Sequence, residues 1–177
     1  MDPLWNNIFR KRHDEDSLAY FLNNLPMFAE LNGRELNLLE KIVHLRNYEA
    51  NETVFEEGDP GTGMYMIRKG AVSISAKSTD GSKELLANLG PGDFFGETTL
   101  TAPAPRSATA RATDKTELIG LFRADLLEMV ERQTTMTCRI LIGLTRVVSE
   151  RLQTASIEIR NLNNRLDDHQ PTETVET

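Results

Sequence analysis

Cysteine is almost missing from the sequence: Cys138 stands alone among 177 residues, so no internal disulfide can form. Long apolar runs are missing too. The longest, such as "ILIGL" at Ile140 to Leu144, fall far short of the roughly 20 residues a membrane-spanning helix needs. No apolar stretch follows the basic "RKRH" at Arg10 to His13, which argues against an export signal. A cytoplasmic protein with no membrane partner is expected. Histidine is scarce: His13, His44 and His169 all fall outside the part of the chain that reads as β-strand, and that part holds no cysteine either. The clustered ligands of a metal-dependent oxygenase or isomerase are therefore lacking. "DDH" at Asp167 to His169 reads as solvated charge, and no Ser/His/Asp arrangement stands out. No catalytic residue, no metal and no cofactor are expected. Positive charge is outweighed, 20 basic against 27 acidic side chains for a net −7, which argues against broad phosphate neutralisation, so no nucleic-acid partner is expected, while leaving room for a local basic pocket.

What is present falls into a clear order along the chain. Residues 1–17 form a polar leader in which Leu4, Trp5, Ile8 and Phe9 can share one face of a short amphipathic helix. Residues 18–135 read as the body of one domain. From Leu18 to Leu45 the apolar spacing is helical, with Leu36, Leu39, Ile42 and Val43 on one face, Pro26 as an interruption and Asn32 as a helix cap. Between Tyr48 and Phe122 the period shortens to alternation, as in "AVSISA", and "EGDPG", "KG", "DG" and "GPG" punctuate the runs. That spacing predicts an antiparallel sandwich or barrel over residues 48–122, with Asp80-Gly81 as a tight hairpin turn. A short helix follows over residues 123–133.

A long proline-free helix is predicted over residues 136–166. Cys138, Leu141, Thr145, Val148, Leu152, Ala155, Ile159, Leu162 and Leu166 form a heptad seam along it, and Ile140, Leu144 and Val147 a second stripe. One stripe packs on the β-domain and the other meets a second copy, which predicts a homodimer through residues 138–166. Residues 167–177 are acidic, contain Pro171, and are expected to be disordered.

"GDFFGETTLTAPAPRSATARA" at Gly92 to Ala112 has an order that needs a reason. Gly96 lets a ligand approach the backbone, and the amides at Glu97, Thr98 and Thr99 open a short helical turn that attracts an anion. Pro103 and Pro105 end the turn and stiffen the return, aiming Arg106 as the next strand begins. A guanidinium stays protonated in any pocket and suits a phosphodiester. A carboxylate cannot bind phosphate, so Glu97 points to hydroxyls close to the anion, as on a ribose.

"FGE" at Phe95 to Glu97 and "RSA" at Arg106 to Ala108 resemble the phosphate-binding cassette of cyclic-nucleotide-binding domains of the bacterial catabolite activator and protein kinase regulatory subunit type. The likeness extends from "LPMFAEL" at Leu25 through "FEEGDPGTGMYMIRKGAVSI" at Phe55 to "RLQ" at Arg151. It implies an α+β fold: an antiparallel β-roll (double-stranded jelly roll) flanked by N-terminal helices and a long C-terminal helix. It implies cAMP or cGMP as ligand, with Glu97 on the ribose 2′-hydroxyl, Arg106 and the amides near Gly96 and Thr98 on the cyclic phosphate, and Ser107 near phosphate and base. Ile74 and Leu86 would line an apolar wall, Arg151 would support the acid, and the helix would lie over the base, Ala155 and Ser156 standing where the catabolite activator type has threonine and serine. Thr98 departs from the apolar residue usual after "FGE". The module would report occupancy through the position of its C-terminal helix, to a protein partner or a second protomer. The alternatives are a ligand-free version of the fold acting as a dimeric scaffold and a truncated transcription regulator. Too little chain follows Leu166 for a helix-turn-helix, so direct DNA binding is not expected.

Overall fold

The computed structural model describes residues 17–167; the leader and the tail, apart from Ser17 and Asp167, lie outside the described residues. Helix α1 (Leu18–Asn23) starts where the Ser17 hydroxyl accepts from the Tyr20 amide. A 3-10 turn at Pro26–Phe28 separates it from α2 (Gly33–Glu40), since proline cannot continue the hydrogen-bond ladder of a preceding helix. Asn32 caps α2 as its sequence position predicts. Its side chain accepts from the amides of Arg34 and Glu35, and the Glu35 carboxylate returns to the Asn32 amide at 2.9 Å.

Ten strands follow. They are β1 (His44–Tyr48), β2 (Thr53–Phe55), β3 (Pro60–Gly61), β4 (Gly63–Lys69), β5 (Val72–Lys77), β6 (Lys83–Leu89), β7 (Phe94–Phe95), β8 (Ala104–Pro105), β9 (Thr109–Ala112) and β10 (Thr116–Phe122). One sheet has the order β1-β10-β4-β7, the second β2-β9-β5-β6, and β3 pairs with β8 alone; every pairing is antiparallel. This is the expected α+β β-roll.

Two local expectations are corrected. The sheet begins at His44, not at residue 48, so one histidine does lie in the β-region; β1 is an edge strand of mostly exposed residues, which removes the alternation that marks a half-buried strand. His44 is tied to Asp125, with Nε2 3.1 Å from Oδ2. The β5–β6 connection is longer than the tight turn expected at Asp80-Gly81: it runs over residues 78–82, with Gly81 at positive φ and Asp80 accepting hydrogen bonds from the Ser82 amide and hydroxyl.

Strands β4 and β10 are buried on both faces and divide the core in two. Met64, Met66, Ile119 and Leu121 face the helices, where they join Leu22, Phe28, Leu36 and Leu39. Ile67 and Leu118 face the second sheet, against Val72, Phe95 and Ala110. The chain leaves the roll through α4 (Arg123–Arg132) and α5 (Thr134–Asp167), with a four-residue α3 (Thr98–Thr101) inserted between β7 and β8.

The first turns of α5 are anchored in the core that the helices share with β4 and β10. Ile140 and Leu144 enter the helical core beside Met27 and Phe28, and Gly143 lies so close to the 3-10 turn that a Cβ there would collide with the Met27 backbone. Arg139 pairs with Glu35 and Arg146 with Glu30, each at 2.8 Å. From Leu152 to Leu166 every residue is exposed, with the seam residues Leu152, Ile159, Leu162 and Leu166 each at least 57% exposed. Among the described residues no helix is long and apolar enough to cross a membrane.

Candidate functional site

The cassette is held at its back by a segment that reads only as a turn in the sequence. "EGDPG" supplies β3, whose Pro60 and Gly61 pair with Pro105 and Ala104 of β8. The Arg106 amide donates to the Asp59 carbonyl and the Gly58 amide donates to the Arg106 carbonyl, both at 2.8 Å. With its backbone gripped on both sides, Arg106 sends its side chain inward and is 5% exposed. Its guanidinium carbon lies 4.1 Å from the Phe55 ring centroid, a cation–π contact. Nη1 donates to the Gly96 carbonyl at 3.1 Å and to Thr99 Oγ1 at 2.9 Å. Nε is buried and has no hydrogen-bond partner. Desolvation pulls the Arg106 pKa below its ordinary value, opposed by Tyr65, Asp59 and Glu97.

Gly96 is glycine for a reason the sequence reading did not give. Its φ is +77°, and a Cβ there would stand 2.5 Å from Arg106 Nη1. The space spared is filled by the guanidinium. Glu97 follows at the N-cap of α3, where its side chain makes no capping hydrogen bond. Its carboxylate makes no ion pair with Arg106; the cation nearest it is Arg151 of α5, with Nη1 3.7 Å from Oε1. Arg151 also donates to the Phe94 carbonyl at 3.2 Å and stacks on the Phe94 ring at 3.7 Å.

These groups surround a cavity of about 250 Å³. Of the residues singled out from sequence, Ile74, Gly96, Glu97, Thr98, Arg106, Ser107 and Arg151 line it. Leu86 does not. The β5–β6 register slips between Ile74 and Ser75, whose partners are Ala87 and Leu85, so Leu86 is the extra residue of a bulge and is exposed; Ala87 and Leu89 take the wall instead. Ser156 is also absent from the lining. Its hydroxyl donates to the Leu152 carbonyl, and in this helix position α5 meets the cavity at Arg151 while Ala155 and Ser156 remain exposed.

Sequence reasoning missed Phe55, Phe94 and Thr99. Phe55 is far from the cassette in the chain, Phe94 sits just before it but reads only as an apolar strand residue, and Thr99 was read for its amide, with nothing in the sequence to single out its hydroxyl. A second hollow of about 390 Å³ lies between α2 and α4, lined by Lys41, by His44 hydrogen-bonded to Asp125 and by Arg132 paired with Glu128. Among the described residues no group of His, Cys, Asp and Glu is arranged to hold a metal ion.

Fold and site together define a β-roll module in which a short kinked cassette brings one buried guanidinium to the edge of a cavity. The family model described as the cyclic nucleotide-binding domain matches residues 45–133. The chain belongs to the cyclic nucleotide-binding domain family. It is 33% identical over 134 residues to the cyclic AMP receptor protein of Thermus thermophilus, covering 76% of this chain and 60% of that one. It is 36% identical over 111 residues to the cAMP-dependent protein kinase type II regulatory subunit of Drosophila melanogaster, covering 62% and 28%. The crystal structure of the Thermus thermophilus catabolite activator protein superposes with a TM-score of 0.70 at 33% identity, over 78% of this chain and 63% of that one. The chain thus spans less than two thirds of the length of these relatives.

Proposed function

We propose that this module is a receptor for a 3′,5′-cyclic purine nucleotide, cAMP before cGMP, and acts as a regulator rather than a catalyst. The observation that carries the reading is the pairing of an unpartnered, buried Arg106 Nε with a Glu97 carboxylate that Arg106 leaves free. A buried donor without a partner costs about 1–3 kcal/mol, and an anionic oxygen in the cavity removes that cost. Glu97 then accepts a ribose hydroxyl, and Ile74, Ala87 and Leu89 offer the base an apolar wall. The named ligands of the relatives support cAMP. Ser107 lines the same cavity and its hydroxyl suits either purine.

Arg151 supports a route for signalling. It bridges α5 to Glu97 and Phe94, so occupancy at Glu97 changes the contacts that hold the free half of α5. A signal exists only if the ligand binds one helix position better than another. The exposed seam from Leu152 to Leu166 supports a homodimer as the listener. Titration calorimetry with cAMP and cGMP tests the reading: saturable heat with at least one of them is expected, and no heat with either at millimolar concentration would refute it.

A further inference from the structure

Thr99 occupies a position that its fold does not explain. It is 1% exposed, in a helix of a single turn, and its hydroxyl lies 3.1 Å from the Gly96 carbonyl, 3.3 Å from the Gly63 carbonyl and 2.9 Å from Arg106 Nη1. A hydroxyl has one hydrogen, and a guanidinium can only donate. Thr99 therefore accepts from Nη1 and turns its own hydrogen to one of the two carbonyls. The direction of every bond in the chain follows from that. Nη1 carries two hydrogens, and Gly96 and Thr99 take both.

The remaining donors of Arg106 are Nε and Nη2. Phe55 covers one face of the guanidinium, and Gly96 lies so close to Nη1 that an added Cβ would stand 2.5 Å from it, which leaves Nε and Nη2 as the edge not already taken. Nε–H and one hydrogen of Nη2 point the same way, forming the side-on fork that meets two oxygens of one anion.

We infer that Thr99 is a positioning residue, which, by occupying Nη1, commits Arg106 to bind the ligand's phosphodiester through its Nε/Nη2 edge. The inference rests on the cyclic-nucleotide reading above. A purely local role, the back-bonding of a threonine to its own helical turn, would need only the hydrogen given to the Gly96 carbonyl. The accepting half of the hydroxyl serves Arg106 alone.

The test uses the full chain and three variants, Thr99→Ser, Thr99→Val and Thr99→Ala, titrated with cAMP and with the two phosphorothioate diastereomers in which one or the other exocyclic oxygen is sulfur. Thr99→Ser keeps the acceptor and should bind cAMP within about threefold of the unaltered chain. Thr99→Val and Thr99→Ala should bind about tenfold to a hundredfold more weakly, the scale of losing a hydrogen bond to a charged group. They should also discriminate less between the diastereomers, because a loosened fork no longer assigns each oxygen its own donor. A change in packing alone would leave that ratio unmoved. Thr99→Val binding within about twofold of the unaltered chain, or a diastereomer ratio identical in all variants, overturns the inference. If Thr99→Val shows no cooperative unfolding, the comparison of Thr99→Ser with Thr99→Ala decides in the same way. If the unaltered chain binds neither cAMP nor cGMP, the functional reading and this inference fall together; if it binds cGMP alone, the same titrations with cGMP decide the inference.

Discussion

Replacing Gly96 by alanine adds one methyl group, and the geometry says what that methyl meets. The residue has φ +77°, a conformation that costs an L-residue roughly 1–2 kcal/mol. The new Cβ would also stand 2.5 Å from Arg106 Nη1 and 3.2 Å from the Gly63 carbonyl oxygen. The carbonyl belongs to β4 and is held by the sheet, so the guanidinium gives way. Gly92 provides the matched control: its φ is +91°, and nothing lies within 4 Å of an added Cβ. Gly92→Ala should therefore pay the backbone term alone, lowering the melting temperature by about 2–8 °C at roughly 2–4 °C per kcal/mol. Its cAMP affinity should be unchanged. Gly96→Ala should show a similar or larger thermal shift and in addition lose about 2–5 kcal/mol of binding, or roughly thirtyfold to several-thousandfold, because Arg106 no longer reaches the anion. Calorimetry and thermal unfolding of the two variants side by side separate the terms. Equal cAMP affinity in Gly96→Ala and Gly92→Ala would refute the claim that this glycine exists to seat the arginine.

Three further outcomes are expected. Glu97→Gln should narrow the preference for cAMP over its 2′-deoxy analogue, since a neutral amide is a poorer acceptor than a carboxylate; equal losses for both sugars, measured by calorimetry, would remove Glu97 from the ribose. Leu152→Asp and Leu162→Asp, at exposed seam positions, should convert a dimer to a monomer in sedimentation velocity, and a native chain that already sediments as a monomer at micromolar concentration would dismiss the seam as an interface. Burial first, then the neighbouring Tyr65, pushes the Tyr48 phenol up to about 12. Its folded pKa lies above the unfolded value of about 10, so the stability it contributes is complete below about pH 10 and is lost as the pH rises toward 12. An ultraviolet titration should show one late-ionising phenol that Tyr48→Phe removes.

The parts of the site that could be read early are those written in adjacent residues. Gly96, Glu97, the two prolines and Arg106 lie within one short stretch, and short-range chemistry makes a kinked turn of it whatever packs around it. The Asn32 cap, the helical spacing of Leu36 and Leu39 and the long run of α5 are legible for the same reason: their partners are three or four residues away. Leu86 was misplaced because a bulge in the β5–β6 ladder shifts every later residue to the other face, and nothing in an alternating run marks where the extra residue sits.

The amino-acid order was enough to mark the cassette, the alternating strands and the helix that follows, since each is written in neighbours along the chain, while the β-roll itself was implied by the family resemblance. Folding in three dimensions added the rest. Phe55 comes across from another strand to cover the guanidinium, Asp59 and Gly58 grip its backbone, and Arg151 arrives from a helix more than fifty positions further on to meet Glu97 and Phe94. Such contacts depend on how sheets and helices stack, and stacking brings together residues that share no local pattern.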